Sequence, residues 1–284
     1  MYQTSTASAA DLPEILGFLR RRLLENAWVL WGVHDAFLYH LDWQRVVLCR
    51  SRGEIIATCY MSQRPLRGAE PKFTQFSNHY DVHMDALGPD AVGAVLETLP
   101  AGSVVHAQCF TSETKAYFDA LPGVNRREDD LYFTVTSEVF QPVEGGNVVE
   151  LTEADAHLFD GCERRPDWEH AGERSTVFAI LVDGRAASWA WSAAGGGQAT
   201  PVGAVSSGLV TINSLYTETR HRRRGLGRRL VSHITQLILQ KGNMPIYWTE
   251  PDNVASQRLC TGLGYWQYAQ KMCYTWTKSS GGTA

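Results

Sequence analysis

The sequence predicts an α/β protein built twice from one plan. Three observations carry this: each half opens on a capped helix, each continues into a hairpin with glycine in its turn, and each closes on helix, strand and second helix. One offset of 141 residues superposes those last three elements. With 284 residues, the chain has enough length for two cores of its own making.

In the first half Asp11 caps a helix that has Pro13 in its first turn, and Leu12, Ile15, Leu16, Leu19 and Leu23 form one apolar stripe. VVLC-RSRG-EIIATCYM (46–61) places a glycine turn between β-branched runs and predicts a hairpin. PDAVGAVLETL (89–99), SVVHAQC (103–109) and SETKAYFDAL (112–121) then read as helix, strand and helix. The second half opens with VVELTEADAHLF, where Thr152 and Asp155 make a capping-box start, and its hairpin is VFAILV-DG-RAASWAWS (177–192). LVTINSLYT (209–217) predicts a buried strand, followed by a helix over 225–240, a strand over 244–250 and a helix over 253–263. The 141-residue offset lays Phe118 on Leu259 and Gly123 on Gly264. A tandem duplication with a boundary near QPVEGGN (141–147) accounts for this; two unrelated α/β domains sharing an element order are the alternative. The division expected is 1–140, 146–277 and a disordered tail, KSSGGTA, over 278–284.

Composition removes several classes of function. A net charge of −4 gives no global attraction to nucleic acid or an anionic membrane. The six cysteines include no CxxC pair and mostly lie in apolar runs, which reads as reduced thiols in a cytoplasmic protein without a metal site. The N-terminus has no basic and apolar signal pattern, and no apolar run approaches the roughly 20 residues that span a bilayer.

Against that acidic background, RHRRRGLGRRL (220–230) gathers six arginines and a histidine around two glycines. Leu226, Leu230, Ile234, Leu237 and Ile238 line one helical face after it, so the arginines sit in a strand-to-helix turn. The helix dipole disfavours cations there, unless an anion completes the site on the free N–H groups of the first turn. A Walker loop fails for want of a lysine after the glycines. The dinucleotide fingerprint fails because its third glycine is Leu230 and about one βα unit remains in the chain, even with Glu250 downstream. The offset maps Gly225–Gly227 onto Met84–Ala86, which has neither glycine nor arginine, so the cluster belongs to the second half alone.

Two motifs in order resolve the choice. Arg222-Arg223-Arg224-Gly225-Leu226-Gly227 matches the (Q/R)xxGx(G/A) coenzyme A loop of the GNAT acyltransferases, and Asn253-Val254-Ala255-Ser256-Gln257-Arg258-Leu259-Cys260-Thr261-Gly262-Leu263-Gly264-Tyr265 follows that family's NxxAxxLYxxLG(F/Y) pattern. The chain thus resembles the GNAT superfamily over about 148–277, and ASAADLPEILGFLRR opens the first half in the same manner. A copy without the cofactor loop fused to a complete one resembles, more weakly, glycine N-acyltransferase-like proteins. The resemblance implies a tandem GNAT fold, each half a mixed, mostly antiparallel twisted sheet flanked by helices, with the N-terminal copy degenerate.

It implies, too, an N-acyltransferase that moves acetyl, or another acyl group, from acetyl-CoA to a small amine by direct attack in a ternary complex. Leu215, Tyr216 and Thr217 would pair with the pantetheine arm, and amides of 224–229 would hold the pyrophosphate. Arg222, Arg223, Arg224, Arg228 and Arg229 would reach phosphate oxygens beside Gly225, Leu226 and Gly227. Asn253 and Ser256 match cofactor-bonding positions; an N-cap and a solvated face explain them equally.

Two positions depart from the family. Cys260 stands where the usual tyrosine acid would be, and it reads either as the proton donor or as packing, with Tyr265 or water donating instead. The strand 209–217 has no carboxylate base; Asn213 with Thr211 to hold a water, and Glu250 at a strand end, are the candidates, Glu250 also reading as a surface residue. For the acceptor, the loop 161–175 brings Trp168 and His170, while Trp189 and Trp191 share one strand face, where core packing is the competing explanation. His170 also reads as a solvated loop residue. The loop's mixed charges do not choose between amino acid, amino sugar and peptide amine. The expected partner is a small-molecule amine, with no metal, no nucleic acid and no membrane, and a homodimer is left open. The rival function is a coenzyme A-binding regulatory module without turnover.

Overall fold

The structure, a computed structural model, describes residues 2–39, 43–65, 76–145, 147–168, 175–194 and 208–279. It forms two compact units, and neither is contiguous in sequence: among the described residues the first holds 2–129 and 270–279, the second 130–194 and 208–269.

The first unit runs β1 (Tyr2–Thr6), α1 (Leu12–Leu19), α2 (Ala27–Tyr39), β2 (Gln44–Ser51), β3 (Glu54–Pro65), β4 (Phe76–Ala86), α3 (Pro89–Leu96), β5 (Val104–Cys109), α4 (Ser112–Asp119) and the start of β6 (Asn125–Thr134). Its sheet has the order β1-β2-β3-β4-β5, with β4 and β5 parallel and the other neighbours antiparallel. On one face α3 and α4 bury Val92, Val95, Leu96 and Phe118 against Val47, Met61, Val82 and Val105. On the other, α1 and α2 pack Ile15, Leu19, Leu30 and Val33 onto Val46, Leu48 and Ile55.

The second unit continues with the end of β6, β7 (Val148–Leu151), a 3-10 turn (Glu153–Phe159), β8 (Ser175–Val182), β9 (Arg185–Ala194), β10 (Leu209–Thr217), α5 (Leu226–Gln240), β11 (Met244–Thr249), α6 (Val254–Thr261) and the start of β12 (Trp266–Thr277). Its sheet order is β6-β11-β10-β9-β8-β7, with only β10 and β11 parallel. The stripe expected on α5 is present: Leu226, Leu230, Ile234 and Ile238 are buried, with Leu237 packed beside them. Both hairpins turn through two residues of positive φ, Arg52-Gly53 and Asp183-Gly184, as the twist of paired strands requires.

The last strand of each repeat explains why the units are discontinuous. β12 pairs with β5, from Met272↔Cys109 to Thr277↔Val104, while β6 pairs with β11, from Thr134↔Ile246 to Leu131↔Thr249. β6 and β12 start 141 residues apart, the offset of the repeat. The compact units thus divide at 129/130 and 269/270, within these two strands.

Several local expectations have particular outcomes. Thr152 and Asp155 do form a capping box, but the segment after them is a 3-10 turn. α2 has no clean apolar stripe in the sequence. Of the tail, only Lys278 and Ser279 are described, and Lys278 is anchored: its Nζ donates to the carbonyls of Leu96, Glu97 and Leu99 at 3.4, 2.9 and 2.9 Å. All six cysteines are free. No helix among the described residues is long and apolar enough to cross a membrane, and no group of His, Cys, Asp and Glu there is arranged to hold a metal.

Candidate functional site

The site begins with an irregularity in β10. Its parallel ladder with β11 runs from Leu209↔Met244 to Ile212↔Tyr247 and stops. On its other side the ladder with β9 slips between Asn213↔Trp191 and Tyr216↔Trp189, where three residues of β10 span two of β9. Ser214 takes the slack at φ +53°, a left-handed conformation that costs a non-glycine residue about 1–2 kcal/mol. Beyond Ile212 the strand pairs only with β9, so 213–217 have no ladder partner on the β11 side.

Eight residues separate β10 from α5, and they form a tight, arginine-rich turn. Arg223 (φ +59°) and Gly225 (φ +77°) both adopt positive φ, the kind of turn in which backbone amides can converge on an anion. Gly225 is the N-cap of α5, so the N–H groups of Leu226, Gly227 and Arg228 lie in the first turn without intrahelical partners. Gly227 sits where α5 approaches β10 and α6. A Cβ there would stand 3.3 Å from Thr217 Oγ1, 3.5 Å from Leu259 and 3.6 Å from Leu215, all three of which line the cleft described next.

These elements enclose a cleft of about 650 Å³. Leu215, Tyr216 and Thr217 form one wall, Arg222, Arg223 and Gly225–Arg228 the end, and Asn253 and Ser256 the opposite wall. Sequence reasoning did not include His221, Ala255, Arg258 and Leu259, which line it as well. Arg224 and Arg229 do not line it; Arg224 instead meets His221 Nδ1 at 3.0 Å. The Arg222 Nε–H donates to Thr217 O at 3.1 Å, and the Arg228 guanidinium donates to Gly262 O, which ties the end of α6 to the start of α5. Asn253 is both cap and wall: its Oδ1 accepts the Ser256 N–H at 3.2 Å. Ser256 Oγ in turn lies 2.6 Å from the Tyr247 hydroxyl, whose pKa burial pushes up to about 12.

The candidate proton-transfer residues fall elsewhere. Cys260 is fully buried among Leu230, Ile234 and Tyr247, its Sγ donates to Gln257 O at 3.2 Å, and burial pushes its pKa up to about 12. Tyr265 is buried in the same core, with its hydroxyl 2.7 Å from Thr235 Oγ1 and its pKa raised by burial. Neither lines a cleft, because the face of α6 that carries Cys260 packs inward on α5. Glu250 lies just beyond β11, exposed and outside both clefts. Asn213 donates from Nδ2 to Thr211 Oγ1 at 3.0 Å, and its buried Oδ1 has no donor among the described residues.

A second cleft of about 430 Å³ opens at the bulge, walled by Ser214, Leu215, Tyr216, Trp189, Trp191, Arg164, Arg165 and Asp167. Leu215 and Tyr216 belong to both clefts, so the two meet along the bulged strand. Trp189 and Trp191 do project to one face, where Trp189 also packs on Phe159. Trp168 packs on Phe159 too and lines an adjoining recess with Arg165 and Asp167. His170 lies outside the described residues. The loop is held by two carboxylates that sequence reasoning passed over. Glu218, buried, accepts the Glu163 N–H at 3.1 and 3.2 Å. Glu163 accepts the Tyr216 hydroxyl and the Thr219 hydroxyl and N–H, and those bonds hold its carboxyl below the usual carboxylate range while raising the Tyr216 phenol.

A bulged strand thus leads through a glycine turn to a helix, with a second helix across the cleft, on a mixed sheet. Residues 203–275 match the family model described as FR47-like protein. No curated protein matches the chain. Among solved structures, a tandem GNAT protein from the clavulanic acid biosynthesis pathway is 12% identical with a TM-score of 0.58, over 99% of this chain and 100% of that one. A GCN5-related N-acetyltransferase from Sphaerobacter thermophilus is 14% identical with a TM-score of 0.58, over 100% and 98%. A GNAT-family acetyltransferase from Colwellia psychrerythraea is 11% identical with a TM-score of 0.57, over 96% and 99%. At such identities the likeness is one of fold, and the fold is the GNAT fold built twice. The narrower resemblance to glycine N-acyltransferase-like proteins finds no support in these matches.

Proposed function

We propose that the chain is an acyl-CoA-dependent N-acyltransferase that moves acetyl to a small amine with both substrates bound at once. The observation that carries this is the pair of clefts meeting at Leu215 and Tyr216: one ends in an anion cradle, the other in indoles and charged side chains. The residues present suit coenzyme A. Free amides of an α5 first turn and flanking arginines match a diphosphate, and glycine at 227 keeps open a space that a Cβ would enter.

Acetyl-CoA supplies an acyl group activated as a thioester. Backbone groups of Leu215–Thr217 would hold the pantetheine arm, and a backbone N–H of that strand would stabilise charge on the acyl oxygen. The amine must lose a proton to attack. Asp167, on the wall of the second cleft, is the group suited to take it. Cys260 and Tyr265, sealed in the core, are left to packing, and the departing sulfur takes its proton from solvent or through the Ser256–Tyr247 pair.

Calorimetry with coenzyme A and thiol release across a panel of amines test the reading. Binding with turnover supports it. Binding without thiol release from any amine favours the regulatory module, and absence of binding ends both.

A further inference from the structure

We infer that the second cleft takes an amine that also carries a carboxylate, the arrangement of a free amino acid, with the carboxylate on Arg164 and Arg165. The inference rests on the acyl-transfer reading for the identity of the amine as acceptor, but the recognition argument stands on the cleft itself.

The loop 161–168 contains both signs of charge, and its folding sorts them. Glu163 turns away, committed to Tyr216 and Thr219. Arg164 and Arg165 remain on the wall, with Asp167 the one carboxylate that lines it among the described residues. Arg164 is further oriented by lying over the Tyr216 ring, 5.1 Å from its centroid, which places a guanidinium beside the strand shared by both clefts. The indoles of Trp189 and Trp191 line the same cleft, and their buried N–H groups have no acceptor among the described residues.

Among the described residues the wall therefore carries an excess of positive charge: two guanidiniums stand beside one carboxylate and two indoles. Guanidinium groups have donors and no acceptor, so this wall favours a group that only accepts. An ionised carboxylate does so, and a guanidinium fork fits its two oxygens. Asp167 complements the ammonium of the same molecule before it loses its proton. An amino sugar would bring more donors and no counter-charge for the arginines. The cleft's volume, about 430 Å³, is that of a small-molecule site.

The test uses the full chain saturated with coenzyme A and reads binding by calorimetry. N-acetylglycine and N-acetylphenylalanine are compared with their counterparts lacking the carboxylate, N-methylacetamide and N-acetylphenethylamine, and with N-acetylphosphoethanolamine. At least one carboxylate compound is expected to bind tenfold or more tighter than its counterpart and than the phosphate. The Arg164→Gln, Arg165→Gln double variant is expected to lose that preference, and lysine at both positions to restore part of it. Equal affinities, no binding of either carboxylate, tighter binding of the phosphate, or a preference that survives in the folded double variant would each overturn the inference. Thiol release is scored separately: carboxylate preference without turnover removes the acyl-transfer reading and leaves the carboxylate site standing.

Discussion

Gly225→Ala and Gly225→Glu, made as a pair, isolate the electrostatics of the cradle. Gly225 has φ +77°, where an L side chain strains the backbone by about 1–2 kcal/mol. A Cβ at this position meets nothing within 4 Å, so packing adds nothing and both variants carry the same strain. At about 2–4 °C per kcal/mol for a protein of this size, both should melt within about 2–8 °C of the parent. They differ by one charge. A carboxylate about 5 Å from a bound diphosphate costs about 1–3 kcal/mol per facing charge, for an effective dielectric between 80 and 20. That converts to a loss of about fivefold to 150-fold in affinity beyond the alanine variant. Because the Debye length falls from about 10 Å at 0.1 M salt to about 3 Å at 1 M, the gap should narrow with salt. Calorimetry with coenzyme A at two salt concentrations, beside a melting curve, measures both terms. A folded glutamate variant that binds as tightly as the alanine variant would refute the cradle.

Two further predictions address the groups that do not act. Cys260→Ala removes a buried thiol and should cost about 1 kcal/mol of stability, with acyl transfer held within about threefold; a hundredfold loss would return the thiol to the chemistry. In the first unit, burial lowers the His83 pKa from 6.5 to about 4, so the unfolded chain binds more protons between those values. Stability should therefore fall as pH drops through that window, and His83→Gln should flatten the limb in urea titrations at pH 4.5, 5.5 and 6.5.

Features that depend on a few consecutive residues were legible in the sequence. The arginine–glycine turn, the stripe on α5 and the cap at Asn253 are local, and each appears where its residues place it. The bulge at Ser214 was not legible, because it exists only against Trp189 and Trp191 on a strand some twenty residues earlier. β6 and β12 escaped notice for a similar reason, since each finds its partner far along the chain. α2 is apolar around much of its circumference, and its fit depends on Gly32: a Cβ there would fall 2.3 Å from the Tyr60 ring. The charges of 161–168 could be counted but not sorted, because their orientation follows from Glu218 and Thr219, more than fifty residues away.

The duplication leads to a stoichiometry. In the first unit β4 passes to α3 through Leu87 and Gly88 alone, against eight residues between β10 and α5. Its ladder with β3 is regular from Ala57↔Ala86 to Gln63↔Tyr80, without the bulge that frees 213–217. Asp85, at the end of that strand, is buried, accepts the Asn26 Nδ2–H at 2.9 Å and pairs with Arg22 at 3.5 Å. Arg22 also grips Glu113 through both of its terminal nitrogens, at 2.8 and 2.6 Å, and holds that carboxyl down at about 2. An ion-paired network thus occupies the end of β4, where the second unit has a loop and open backbone. Each chain should then bind one coenzyme A, and Gly225→Glu should weaken all of the binding. A second site of comparable affinity, or a full-strength site surviving in that variant, would mean that the first unit holds the cofactor by means other than an amide cradle.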